Sequence, residues 1–205
     1  MTPAFVRTRI QLPIRLSDGF ETVVDVATFD GLTDGAEHVA LVLGEPGPIP
    51  LVRVHSECLT GDVLGSRRCD CGPQLRESLE RVDAAGGYVL YLRQEGRGIG
   101  LYAKLDAYAL QDDGLDTYDA NLALGYAEEE RDYTAAAQML TALGVERLAL
   151  LSNNPDKAGQ LESLGLEVVE RVPTAVHLCA ANSRYLAAKV RRGLHGLDLG
   201  STRPA

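Results

Sequence analysis

The order in which two hydrophobic periods appear along the chain limits its fold more than any other feature. Up to about residue 55 the apolar residues recur at strand spacing; beyond it, short apolar runs alternate with helical spacing. Residues 6–16 alternate in part, 20–29 are rich in β-branched and aromatic side chains, and 39–43 form a short apolar run. After the turn Gly44-Glu45-Pro46-Gly47-Pro48, residues 51–55 read as a further strand. Leu75, Leu79 and Val82 then fall at helical spacing until Gly86-Gly87 stops the helix. Residues 88–92 read as a buried strand, 99–111 and 133–143 as helices, 148–151 as a strand, 156–164 as a helix and 167–170 as a strand, with a final helix over 180–192. A β-rich start followed by β–α alternation predicts an α/β fold, a layered domain with a mixed β-sheet flanked by helices. No repeat or linker breaks the pattern. The expectation is one free-standing catalytic-sized domain over 1–195 and a mobile tail over 196–205.

Charge and cysteine usage then narrow the function. The chain has 205 residues, 45% of them hydrophobic, enough for one sizeable core. Its net charge of −9 argues against a general nucleic-acid binder. A phosphorylated small molecule stays open, because it needs only a local basic pocket. No apolar stretch is long enough to span a membrane, and the first residues lack a signal-peptide pattern, so a cytoplasmic protein with no membrane partner is expected.

Of the four cysteines, Cys58, Cys69 and Cys71 crowd into one segment and Cys179 stands apart. A disulfide framework does not suit such a chain, whereas thiolates in a cluster suit zinc. Cys69-Asp70-Cys71 can serve one metal only if extended or turned, which Gly72-Pro73 permits. Three thiolates with an open fourth position describe a catalytic zinc. Cys179 or His55 as a fourth ligand would make a closed structural site, and buried free cysteines are the ordinary alternative. Three thiolates also donate heavily, so such a zinc needs a nearby base and cationic groups.

Three further segments carry candidate binding groups. Arg93-Gln94-Glu95-Gly96-Arg97-Gly98-Ile99-Gly100 lies between a strand and a helix, where glycines let backbone N–H groups approach an anion and Arg97 can pair with phosphate. A plain turn explains the same residues. The stretch 116–133 places Arg131 among five carboxylates, including Glu129. Ser152-Asn153-Asn154-Pro155-Asp156-Lys157 follows a strand and opens a helix; Ser152 and Asn153 can cap it or bind a ligand, and Lys157 can neutralise phosphate.

Taken together, 53–75, 91–101, 108–125, 131–133 and 151–157 resemble the GTP cyclohydrolase II family of riboflavin synthesis, and a looser likeness runs from about 39 to 185. The resemblance implies that Cys58, Cys69 and Cys71 hold one zinc ion per chain. It implies a GTP site lined by Arg53, Val54, His55, Ser56, Glu57, Gln74, Glu95, Gly96, Arg97, Tyr108, Thr117, Ser152 and Lys157. Arg131 matches the arginine said to attack the α-phosphate; electrostatic stabilisation is its alternative role, since a guanidinium is a poor nucleophile at its normal pKa. Glu129 stands where the family has an aspartate proton acceptor. A magnesium ion on the triphosphate and a homodimer are also implied. The implied reaction is hydrolytic opening of the guanine imidazole ring with loss of formate and pyrophosphate.

Three positions depart from the family pattern: Glu129 for aspartate, Ser152 for threonine, and the atypical segment after Pro173. They admit a paralogue of specialised metabolism that stops at a formylated pyrimidine or takes another purine nucleotide. A non-catalytic, zinc-stabilised nucleotide-binding module is the rival from another class.

Overall fold

A computed structural model describes residues 3–127 and 130–182. Among them a seven-stranded sheet runs in the order β1-β2-β3-β5-β4-β6-β7. β1 (Phe5–Arg15), β2 (Glu21–Asp30), β3 (Val39–Leu43) and β5 (Gly87–Leu92) pair antiparallel in turn. β4 (Leu51–Ser56) pairs parallel with β5 on one side and with β6 (Arg147–Leu151) on the other, and β6 pairs parallel with β7 (Glu167–Val172). The sheet is therefore mixed, as the sequence predicts, with the antiparallel part first in the chain and the parallel part last.

The alternation within each strand assigns the two faces. Val52 and Val54 of β4, Leu90 and Leu92 of β5, and Leu148 and Leu150 of β6 all point to one side. There they meet Ala136, Met139 and Leu140 of α4 (Thr134–Ala142) and Leu161 of α5 (Pro155–Ser163). On the other side Val89, Leu43 and Leu151 pack on Leu79 and Val82 of α1 (Cys71–Ala85). Each fully buried leucine contributes about 1.5–3 kcal/mol relative to leaving it in water. The same parity turns Arg53 and His55, which alternate with the β4 valines, towards the α1 face.

Helix α2 (Leu101–Asp112) begins two residues later and ends one residue later than the range expected for it. α3 (Thr117–Ala123) does not stand out in the sequence as a separate helix, because it is short and its core residues sit beside an acidic run. Asp116 starts it by accepting hydrogen bonds from the N–H groups of Tyr118 at 2.8 Å and Asp119 at 3.0 Å. Cysteines 58–71 are bridged by a wide π-helical turn, Leu59–Val63, which periodicity gives no hint of. Most of the final helix expected over 180–192 and all of the tail 196–205 lie outside the described residues.

The topology creates a place for a ligand. The chain leaves β4 through α1 to β5 on one side, then crosses back to β6 on the other. At such a reversal the connections diverge beyond the carboxyl ends of the strands and leave a crevice.

Gly87 tests the β4–β5 seam on which that crevice depends. A Cβ there would stand 1.9 Å from the Leu51 carbonyl oxygen, so even alanine must push the two strands apart. Gly87→Ala is expected to lower unfolding stability by about 1–3 kcal/mol or more, the range for overpacking, in a urea titration; an unchanged midpoint would contradict the register.

Candidate functional site

The crevice beyond β4 and β6 is an open cleft of about 1360 Å³, solvent-filled mouth included. Arg53 and His55 enter it from β4, followed by Ser56, Glu57 and Cys58 as the strand ends. α1 contributes Cys71 and Gln74, and the glycine-rich turn contributes Glu95, Gly96 and Arg97. Tyr108 of α2, Arg131, Ser152 and Lys157 complete the opposite walls. Segments far apart in the sequence thus line one cavity.

One expected site residue is placed differently. The Val54 side chain is buried in the core on the α4–α5 face, so only its backbone faces the site: its carbonyl accepts a 2.7 Å hydrogen bond from Lys157 Nζ. Thr117 is the first residue of α3. Glu129 lies outside the described residues.

The three clustered cysteines converge on the floor. Their sulfurs lie within 4.8 Å of one another, and Cys58 Sγ is 3.6 Å from Cys69 Sγ. Two thiolates on one tetrahedral zinc, each at 2.3 Å, stand about 3.8 Å apart, so this spacing fits that ion. Glycines make the convergence possible. A Cβ on Gly61 would lie 2.7 Å from Cys69 Sγ and 3.1 Å from Cys58 Sγ, and one on Gly72 would lie 2.3 Å from the Gly61 carbonyl oxygen. The π-helical turn and the start of α1 can therefore touch only through their backbones. Among the described residues no fourth Cys or His joins the group; Cys179 instead places its sulfur 3.6 Å from the Arg67 carbonyl. Among the described residues the group therefore offers three sulfur donors.

The sulfurs do not behave alike. Contact with the Cys69 and Cys71 sulfurs, reinforced by the Lys104 ammonium, holds Cys58 far towards thiolate. The Cys69 thiol is pushed up to about 11, chiefly by the Cys58 sulfur it contacts, and Cys71 is raised for the same reason, further helped by burial. A dication would be needed to hold all three as thiolates at neutral pH.

Asp62, which sequence reasoning passes over, organises the floor. Its carboxylate accepts from the Cys58 N–H at 3.0 Å and from Tyr91 Oη at 2.9 Å, and lies 3.1 Å from His55 Nε2. His55 is stacked on Tyr91, with ring centroids 5.6 Å apart. Burial pushes the His55 pKa down, against the pull of Asp62, which favours the neutral ring. A lone acid between Cys58 and Cys69 carries no periodic signal that could have revealed this role.

The cations are held just as firmly. Arg53 is buried; it donates to the Leu151 carbonyl and to Gln74 Oε1, each at 3.1 Å, and burial lowers its pKa. Arg97 adopts a left-handed backbone at φ 63°, a conformation that costs a non-glycine residue on the order of 1 kcal/mol. It lies 4.3 Å from the Tyr118 ring centroid, a cation–π distance, and its carbonyl accepts from the Glu130 N–H at 3.2 Å. Gln94 donates to the Asp132 carbonyl. Arg131 is thus carried between two residues, Glu130 and Asp132, that are both fastened to the glycine-rich turn. At the start of α5, Asn154 caps the helix through the Asp156 N–H at 3.0 Å. Ser152 instead accepts from the Asn154 N–H at 3.1 Å, and Asn153 exchanges hydrogen bonds with Thr174 across to the segment after β7. The cap expected of Ser152 or Asn153 therefore falls one position later.

Comparison with known proteins agrees with this architecture. Residues 8–173 match the profile of the family described as GTP cyclohydrolase II. The GTP cyclohydrolase-2 of Vibrio cholerae serotype O1 is 49% identical over 199 residues, covering 96% of this chain and 100% of that protein. The GTP cyclohydrolase-2 of Vibrio parahaemolyticus is 48% identical with the same coverage. The riboflavin biosynthesis protein RibBA of Nocardia farcinica is 54% identical over 184 residues, which span 85% of this chain and 44% of that longer protein.

The sulfur geometry yields a prediction about metal content. Cys58→Ser, Cys69→Ser and Cys71→Ser are each expected to lose the bound zinc, measured by elemental analysis of protein purified without chelator. Cys179→Ser should keep one zinc per chain. Loss of zinc in Cys179→Ser would mean a closed, four-cysteine site.

Proposed function

The chain belongs to the GTP cyclohydrolase II family of riboflavin biosynthesis, and on that premise we propose that its cleft hydrolyses GTP. The reaction opens the imidazole ring of guanine and releases formate and pyrophosphate, leaving a diaminopyrimidinone ribosylamine 5′-phosphate. One observation carries the reading: a three-thiol tripod and a set of cations meet in the same cleft of a protein whose acidic residues outnumber its basic ones, 29 to 20.

The residues divide the work by position. Cys58, Cys69 and Cys71 would hold a zinc ion, which supplies Lewis acidity for attack of water on the purine ring. Arg97, Lys157 and Arg131 surround the triphosphate, with the N-terminus of α5 adding its N–H groups and dipole. Arg53 and Gln74, already bonded to each other, form a rigid wall against which the nucleotide is oriented. The ring of Tyr108, packed between Arg68 at 4.4 Å and Lys104 at 5.7 Å, borders the space next to the thiols. Burial raises the Tyr108 pKa to about 12, so its hydroxyl acts as a neutral donor or acceptor. Arg131 stabilises charge on the α-phosphate, and Glu129, two residues earlier in the chain, takes the proton-acceptor role of the family aspartate. A magnesium ion accompanies the triphosphate.

The protein acts as a cytoplasmic homodimer in this reading. Phe5, Ile10 and Leu12 stand exposed on one face of β1 and support a self-association surface. No helix among the described residues is long and apolar enough to cross a membrane.

Incubation with GTP, zinc and magnesium should yield formate and pyrophosphate in equal amounts. Pyrophosphate without formate would instead favour a product that keeps its formyl group, and neither product would defeat the reading. Arg97→Ala and Lys157→Ala should each weaken GTP binding by about 1.5–3 kcal/mol, the range for a charged hydrogen bond, while leaving guanosine binding unchanged in equilibrium titrations. Arg131→Ala should abolish turnover with zinc still bound. An Arg131→Ala enzyme with wild-type turnover would remove that residue from the chemistry.

A further inference from the structure

Lys104 is assigned neither metal nor substrate in the reading above, yet its surroundings are unusual for a lysine. It lies on α2, one turn beyond the glycine-rich turn, and is buried. Its Nζ stands 3.1 Å from Cys58 Sγ, 3.1 Å from Thr60 Oγ1 and 2.7 Å from Glu95 Oε1. An ammonium has three donors, so these partners occupy all of them and leave none for a phosphate. This lysine turns its donors inward, on to the sulfur and the two groups beside it.

Glu95 explains the aim. Its Oε2 accepts from the Leu59 N–H at 2.7 Å, next to Cys58 in the chain, and its Oε1 also accepts from the Gly96 N–H at 2.9 Å. The carboxylate is thus fixed from both ends, and it holds the ammonium in one place. The pair is neutral as a whole, but the cation is the member bonded to the sulfur. The ion pair with Glu95, 2.7 Å between Nζ and Oε1, keeps the ammonium seated against the sulfur. Removing the positive end alone would leave Glu95 as a buried carboxylate beside a cluster of thiolates, which no arrangement of neutral side chains offsets equally.

A zinc ion on three thiolates carries a net charge of −1, and each thiolate that donates freely makes the metal a weaker Lewis acid. We infer that Lys104 is a positioning residue for the metal centre: its charge-assisted hydrogen bond to the Cys58 sulfur draws density from that ligand and offsets the surplus negative charge of the trithiolate site. The inference rests on the zinc reading proposed above. It assigns to α2, which supplies no metal ligand, control over how strongly the ion is held and how acidic it remains.

Three substitutions test it. Lys104→Gln keeps a donor for Glu95 and Thr60 but loses the charge, Lys104→Met loses both, and Lys104→Arg keeps the charge. Zinc affinity is measured by competition with a chromophoric chelator, and the cobalt-substituted proteins are compared by their sulfur-to-cobalt charge-transfer band. The two neutral variants are expected to bind zinc about 10–100-fold more weakly, the usual cost of losing an outer-shell partner. Their charge-transfer band should move to lower energy, because a thiolate relieved of a hydrogen bond gives up electrons more readily. Lys104→Arg should stay within a few-fold of wild type. Either neutral variant suffices if the other does not fold. Neutral variants with wild-type affinity and an unmoved band would overturn the inference, as would Lys104→Arg losing as much affinity as Lys104→Gln, which would make the residue a packing spacer. Wild-type protein that binds no zinc would defeat the metal reading itself, a result distinct from both.

Discussion

β4 is hydrogen-bonded on both edges to parallel strands; the chain leaves its carboxyl end towards β5 on one side, and the chain leaving β5 crosses back to β6 on the other. That single constraint decides where the chemistry sits. The residues that follow Ser56 cannot continue into either neighbour, so they turn out of the sheet over the crevice, and there the first cysteine emerges. Because β4 is central, it is buried on both faces, and its alternating residues must satisfy two environments at once. Valines take the apolar face; Arg53 and His55 take the other, where α1 can hydrogen-bond or enclose them. The polar half of an otherwise ordinary central strand thus becomes one wall of a site.

The electrostatics of that site are arranged as linked pairs. Asp62 serves His55, Tyr91 and a cysteine N–H; Glu95 serves Lys104 and two backbone N–H groups; Glu57 accepts from Arg93 at 2.8 Å. Buried charges left alone would cost several kcal/mol each, and here each is given fixed partners. Groups held in this way do not have to reorganise when a charged substrate arrives, which is how a protein with a net charge of −9 can present a cavity suited to a polyanion.

Much of this was legible in the sequence. The strand and helix ranges follow hydrophobic period, and the order of periods gives the mixed sheet. The clustering of Cys58, Cys69 and Cys71 announces convergence because thiols in such proximity have few other uses. The remainder was hidden for physical reasons. The π-helical turn that follows Cys58 has no characteristic spacing. Asp62 and Lys104 look like surface residues one at a time, and only the fold reveals that one lies under a histidine and the other under a sulfur. Val54 sits inside the motif, but the pleat turns its side chain to the opposite face. Asn154 caps α5 in place of its neighbours because Pro155, at the first helical position, sets where the helix begins.

Helix α2 lines the cleft with Lys104, Ala107, Tyr108 and Gln111, one face at intervals of three and four residues. The ammonium on the sulfur and the ring bordering the pocket therefore ride on a single rigid rod. A shift or tilt of that rod, from a substitution anywhere along its outer face, moves both together. Changes that adapt the pocket to a different base and changes that retune the metal are consequently not independent in this architecture. Pairs of substitutions along α2 should depart from additivity, and evolutionary routes to new nucleotide preference through this helix are narrowed to those that leave its axis where it is.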